Sequence, residues 1–165
     1  MIWGIRNANR IMGDLKPYVS KAIHGKEYVY YLNKEGHSLF GEGAVVSRGK
    51  MAHALLRNEA WLHLFCPDDW QIETEIRYRK NREKKRIIPD VKFRDEEGIL
   101  HAIEVDRSQK MKINELKKYE EFTQIYKQKY NGKVPIIHFF TVTKYREKKL
   151  EQLAAKYDIY VIQSI

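Results

Sequence analysis

The sequence predicts an α/β fold in which, from Gly49 onward, the elements run αβββαβαβ around a mixed central sheet, preceded by a short helix and a β-hairpin. Three observations predict it. Apolar residues recur at helical spacing over 49–65 and 112–130. Between those stretches lie three runs with strand character, broken by turn residues. After them stands PIIHFFTV, residues 135–142, an apolar run of the kind buried on both faces of a sheet, which places it centrally. The 165 residues, 43% of them hydrophobic, suffice for one domain with a small appendage and a core that needs no disulfide.

Each element has a local cause. Residues 5–15 (IRNANRIMGDL) make a short basic helix that Pro17 stops. Residues 19–32 (VSKAIHGKEYVYYL) make a hairpin turning near His24-Gly25, with Tyr28, Tyr30 and Leu32 alternating. A helix followed by a basic hairpin is the back half of a winged helix, in which the helix enters a DNA groove and the hairpin touches the flanking backbone. The two helices that would precede it are missing. Either a partner chain completes the module or the segment is a trimmed version of one, and a plain N-terminal hairpin packed on the main domain accounts for the same residues equally well.

Gly41 and Gly43 mark a boundary, giving a partial winged-helix-like segment, 1–43, and an α/β domain, 44–165. Ser47 is placed to cap the helix of residues 49–65, whose stripe of Met51, Leu55, Leu62 and Phe65 carries Glu59 inward. Strands follow at 71–80, 87–95 and 99–108, the last two joined by Glu96-Glu97-Gly98. The helix of 112–130 turns Ile113, Leu116, Tyr119 and Tyr126 inward. Thr143 caps a further helix to about residue 156, and residues 158–165 close the sheet.

Charge is unevenly placed. There are 31 Lys and Arg against 22 Asp and Glu, a formal charge of +9. Residues 77–86 alone hold Arg77, Arg79, Lys80, Arg82, Lys84, Lys85 and Arg86 against one acid, Glu83, for +6. Residues 1–26 hold Arg6, Arg10, Lys16, Lys21 and Lys26 against Asp14, for +4, so the remainder sums to −1. Concentration of this kind points to a polyanionic partner, with nucleic acid ahead of a solubilising loop or an anionic membrane surface. Tyr78, inside the basic run, is placed to stack on an unpaired base. No stretch reaches the roughly 18 apolar residues of a membrane span, and the N-terminus lacks a long apolar signal region, so the chain reads as soluble and cytoplasmic.

The acids form a second constellation. With Glu96-Glu97-Gly98 as a three-residue loop, Asp95 pairs with Ile99 and Asp90 falls opposite Glu104, β-carbons roughly 5 Å apart, with Asp106 and Lys92 on the same face. Converging carboxylates repel, and a hard cation such as Mg²⁺ or Mn²⁺ would relieve that repulsion and could activate a water beside a phosphodiester. Exposed acids paired with Arg107 or Lys110 are an equal alternative. Cys66, the single cysteine, excludes an internal disulfide and a thiolate-rich zinc site and reads as a small buried thiol. No GxxxxGK[ST] loop or His-x-His pair is present, and His53, His63, His101 and His138 read as structural.

Ile88-Pro89-Asp90, thirteen intervening residues and Glu104-Val105-Asp106, within an αβββαβ order, resemble the PD-(D/E)xK nuclease-like superfamily. More narrowly, Tyr28–Gly36 (YVYYLNKEG), His53–Glu59 (HALLRNE), Pro89-Asp90, Glu104–Arg107 (EVDR) and Leu116–Tyr119 (LKKY) resemble the replication-relaxation family of plasmids and other mobile elements. The resemblance implies a nuclease-like core and a DNA-binding protein connected with plasmid replication and DNA relaxation. Asp90, Glu104, Asp106 and Lys92 would be the catalytic candidates, and Asp90, Glu104 and Glu59 would hold Mg²⁺ or Mn²⁺ for DNA nicking. Asp106 stands where the nuclease pattern has a lysine, so a migrated lysine would be needed: Lys92, Lys110, Lys117 or Lys118. The alternative is a catalytically inactive nuclease-fold accessory module that binds DNA and recruits partners, a second copy of the chain or other replication proteins among them.

Overall fold

The computed structural model describes residues 5–40, 48–106, 113–155 and 160–164. They fall into two compact units, Met1–Ala52 and His53–Ile165. Gly41, Gly43 and Ser47, taken as boundary and cap, lie outside the described residues, as do Arg107 and Lys110.

In the first unit, helix α1 (Ile5–Asp14) precedes the antiparallel hairpin of β1 (Val19–His24) and β2 (Glu27–Leu32). The turn is Gly25-Lys26, with Gly25 at φ 64°, a left-handed conformation that costs glycine least. Helix α2 (Lys34–Phe40) was not expected from the sequence. Asn33 starts it, its side-chain oxygen accepting from Gly36 N–H at 2.9 Å while its amide donates to Pro17 O at 2.8 Å. Gly36 is required there, since a Cβ would lie 2.2 Å from Tyr18 O.

The second unit is a three-layer α/β structure. Helix α3 (Met51–His63) leads into a five-stranded mixed sheet of order β3-β6-β7-β8-β9. Its strands are β3 (Gln71–Ile72), β6 (Val91–Arg94), β7 (Leu100–Asp106), β8 (Ile136–Thr141) and β9 (Tyr160–Ser164). The pairs β3–β6 and β6–β7 are antiparallel, and β7–β8 and β8–β9 are parallel. Helices α4 (Ile113–Lys129) and α5 (Lys144–Ala154) make the two parallel crossovers. Leu100, Ala102, Ile137 and Phe139 bury one sheet face against Leu116, Tyr119 and Phe122 of α4 and Leu150 of α5. Val91, Phe93, Ile103, Val105 and Phe140 bury the other against Leu56 and Ala60 of α3. The αβββαβ order that the nuclease-like resemblance implies is thus present, as α3-β3-β6-β7-α4-β8. As expected, Thr143 caps α5, accepting from Arg146 N–H at 3.3 Å.

Two of the expected strands are each broken in two. Residues 71–80 divide at Glu73, whose φ of 47° ends the extended run, and 87–95 divides at Pro89, which has no N–H for a ladder. The released piece β4 (Ile76–Lys80) pairs with β5 (Glu83–Ile87), of which only Ile87 lay in an expected strand, as a separate hairpin inserted between β3 and β6. Its two-residue turn, Asn81-Arg82, has φ of 47° and 69°, a type I′ geometry.

The buried stripe of α3 also differs from expectation. Leu56 and Ala60 face the sheet, whereas Leu62 is 62% and Phe65 94% exposed. Glu59, 100° round the helix from Ala60, is exposed with them rather than inward. Cys66 is exposed too: it follows Phe65 with both residues at positive φ, a helix end that turns the thiol outward.

Candidate nucleic-acid interface and acidic face

The β4–β5 register sorts the basic run into two faces. Arg77 stands opposite Arg86 and Arg79 opposite Lys84, so these four cations share one side of the hairpin, and all four are exposed. Glu75 is their acidic neighbour, ion-paired with Arg77 and 3.9 Å from Arg86. The Arg77 guanidinium holds the Glu75 carboxyl below its usual range. Among the described residues, Arg79 and Lys84 have no acidic partner. Arg82 stands at the exposed turn.

The opposite side of the hairpin is a structural face. Ile76 and Ile87 are buried, and the Tyr78 ring packs 5.5 Å from that of Phe122 on α4. Tyr78 is therefore half-buried against the core, and burial pushes its hydroxyl up to about 12. Lys80 and Lys85 belong to this side as well. Both donate to Glu121 of α4, at 2.5 and 2.9 Å, and Tyr78 Oη donates to the same carboxylate at 3.1 Å. Those lysines hold Glu121 down at about 2. Two of the seven cations in the run are thus spent on fastening the hairpin to α4.

Hairpin, β6 and the C-terminal half of α4 enclose a cleft of about 1130 Å³. Arg77, Arg79, Lys84 and Arg86 rim it from the hairpin, Lys92 and Arg94 from β6 and Lys129 from α4; Leu100, Phe122, Ile125, Tyr126 and Tyr130 supply apolar lining. In the first unit, Arg6 and Arg10 are exposed on α1, Arg10 lying 3.5 Å from Asp14, and Lys21 and Lys26 are exposed on the β1–β2 hairpin. Lys21 Nζ sits 4.6 Å over the Tyr28 ring.

The acids follow the expected register. Val91 pairs with Ile103 and Arg94 with Leu100, and Asp95 N–H donates to Ile99 O; the ladder ends at Val91, and its register continued by one residue sets Asp90 across from Glu104. Gly98 takes the left-handed position at φ 73°, and Asp95 Oδ1 accepts from the N–H groups of Glu97 and Ile99. Lys92 opposes Ala102 on the Asp90 side, but its ammonium donates to Glu75 O at 3.0 Å.

Asp90 is engaged by three elements. Its Oδ2 accepts from Val105 N–H at 2.7 Å, its Oδ1 lies 3.1 Å from His53 Nε2, and its backbone oxygen accepts from Glu73 N–H at 3.0 Å. The carboxylate continues the β7 hydrogen bonding where the β6 ladder stops. Glu104, 5% exposed, accepts from Tyr119 Oη at 2.7 Å. Burial, with Glu104 beside it, pushes the Tyr119 hydroxyl well above its usual range. Asp106, 3% exposed, is ion-paired with Arg146 of α5 at 2.5 Å. Its position, where the nuclease pattern has a lysine, is thus an acid neutralised from the neighbouring helix.

His53 is the contribution of α3 that the sequence reading missed. It shares the sheet-facing stripe with Leu56 and Ala60 at i, i+3 and i+7, a spacing that shows its side of the helix but not its partner. Lys117 and Lys118 are exposed on α4. Among the described residues, no group of three or more His, Cys, Asp or Glu side chains converges on a metal position. Both Asp90 oxygens and the Glu104 carboxylate are engaged within the protein, and Glu59 is turned outward, so of the three expected ligands only Asp90 and Glu104 lie at the β6–β7 boundary. Among the described residues, no helix is long and apolar enough to cross a membrane.

A repair endonuclease from Pyrococcus abyssi is similar in structure at a TM-score of 0.37 and 18% identity, over 76% of this chain and 49% of that one, so this chain spans about half its length. A likeness at that level bears no weight on function. No curated protein matches the chain. The replication-relaxation family model matches residues 4–137, a span that takes in the N-terminal hairpin, the cationic hairpin and the Asp90–Glu104 pair together; the chain belongs to the replication-relaxation family.

Proposed function

We propose that this protein binds DNA in the replication or relaxation of a plasmid or other mobile element, holding the phosphate backbone on the outer face of the β4–β5 hairpin. The observation that carries this reading is the pairing of Arg77 with Arg86 and of Arg79 with Lys84 on one exposed face. Like charges directly opposite one another on a hairpin destabilise it. A polyanion laid across them turns that repulsion into attraction and releases counterions. Arg6, Arg10, Lys21 and Lys26 of the first unit would add flanking backbone contacts. The test is a binding titration with labelled DNA at several salt concentrations. The logarithm of affinity should fall linearly with the logarithm of salt, by about 0.9 per phosphate contact, and binding indifferent to salt would sink the reading.

DNA nicking is the second reading, favoured by the register that sets Asp90 opposite Glu104. Supercoiled plasmid incubated with the protein and Mg²⁺ or Mn²⁺, beside Asp90→Asn, decides it. Nicking by the wild type alone supports an endonuclease. Equal nicking by both proteins, or by neither, leaves a DNA-binding accessory module with a nuclease-like core.

A further inference from the structure

We propose that the cleft between the β4–β5 hairpin, β6 and α4 takes an unpaired DNA strand, with Tyr130 as the surface on which a base stacks. This rests on the DNA-binding reading and narrows it to a substrate class. The cleft has the two components that single-strand recognition uses, a cationic rim and an aromatic floor. The rim is Arg77, Arg79, Lys84 and Arg86 of the hairpin joined by Arg94 and Lys129, cations that outnumber the two acids there, Asp69 and Glu75. The floor ends in Tyr130, which is 38% exposed and whose ring centroid lies 4.3 Å from that of buried Tyr126.

Tyr126 is itself fixed, because Arg94 donates to its hydroxyl at 3.2 Å and to Gly98 O at 2.7 Å. One side of the Tyr130 ring is therefore backed by a held aromatic, which pre-organises the other side for a planar ligand. Lys129 Nζ lies 5.1 Å over the Tyr130 ring, so a base stacking there displaces this flexible side chain, whose ammonium then reaches the neighbouring phosphate. A duplex keeps its base faces stacked on each other, so it can use the rim but not the floor. At about 1130 Å³ the cleft exceeds the roughly 300–1,000 Å³ of a typical small-ligand pocket, as a site for a length of chain requires.

The experiment compares fluorescein-labelled oligothymidylate with the same strand annealed to oligoadenylate, by anisotropy, for wild type, Tyr130→Ala, Tyr130→Phe and Arg79→Ala. Tyr130 is exposed at the end of α4, so its replacement leaves the fold in place, which circular dichroism checks. Tyr130→Ala should weaken single-strand binding about 10-fold, the loss typical of one base–aromatic stack, and leave duplex binding within twofold. Tyr130→Phe should bind the single strand as wild type does, and Arg79→Ala should weaken both forms. Single-strand binding unchanged in Tyr130→Ala but weakened in Arg79→Ala overturns the cleft and leaves the hairpin reading standing. An equal loss on both DNAs in Tyr130→Ala overturns the strand preference. Wild type that binds neither DNA at low salt overturns both readings.

Discussion

The hydroxyl of Tyr119 donates a 2.7 Å hydrogen bond to the carboxylate of Glu104, and both side chains are buried, at 1% and 5% exposure. A buried charge acceptor that loses a donor keeps its desolvation cost without that compensation, roughly 1–3 kcal/mol. Tyr119→Phe should therefore lower unfolding stability by about that amount while leaving DNA affinity near wild type, since Tyr119 lies away from the cationic rim. Urea denaturation, with the slope unchanged and the midpoint lowered, measures the first, and the salt titration the second.

The acidic register was legible because it depends on local chemistry alone. Glu96-Glu97-Gly98 sets a three-residue loop, and a loop of known length fixes which residues oppose each other all the way to Asp90 and Glu104. The partners of those acids were not legible. His53 reaches Asp90 from another helix, Arg146 reaches Asp106 across forty residues, and Tyr119 reaches Glu104 from a crossover, and no sequence period encodes such meetings. Glu59 was misjudged because Leu55, Leu62 and Phe65 outweigh the small Ala60 in a hydrophobic stripe, although Ala60 is fully buried. The detached β4–β5 hairpin escaped for a similar reason. Composition marks residues 71–80 and 87–95 as strands, but Glu73 and Pro89 decide which pieces join the sheet.

The opposed pair Arg79–Lys84 offers a separation of stability from binding. Arg79→Glu places an acid directly across from Lys84, replacing repulsion by attraction and gaining roughly 0.2–1 kcal/mol. The unfolding midpoint should rise by about 1–3 °C. Affinity for DNA should fall by more than in Arg79→Ala, and the salt slope of the alanine variant should be smaller than wild type by about 0.9. A variant at once more stable and a poorer binder would identify this face as kept for its ligand.

Glu121 makes the complementary case. It accepts from Lys80 and Lys85, so Glu121→Gln frees two ammonium groups beside the cationic face. The variant should bind DNA more tightly with a steeper salt slope, and its hairpin should be more loosely held on α4, seen as faster amide exchange in Ile76–Lys80 and Glu83–Ile87. The pH dependence has a definite sign. With Glu121 held at about 2 against an ordinary carboxylate value of 4.5, its contribution to stability is present above 4.5 and fades as pH falls toward 2. Glu121→Gln should lack that part of the acid-side decline.

His138 sets a second pH window, nearer neutrality. It is 6% exposed on β8, its Nε2 lies 2.9 Å from His101 Nδ1, and His101 Nε2 in turn lies 3.2 Å from Asp95 Oδ2. With Asp95 accepting from His101 Nε2–H, His101 Nδ1 is left to accept from His138 Nε2–H, which makes His138 Nδ1 an acceptor; that atom is buried without a partner among the described residues. Burial, reinforced by His101 and His63, lowers His138 from 6.5 to about 4. A depressed histidine is neutral in the folded protein while the unfolded chain takes up a proton. Its contribution to stability is therefore complete above 6.5 and is lost as pH falls to about 4, amounting to roughly 3 kcal/mol at most. His138→Leu should remove this share of the slope whatever it does to stability at pH 7. Denaturation curves of both proteins at intervals between pH 7 and 4 give the difference directly, and parallel pH profiles would show that His138 does not take up the proton.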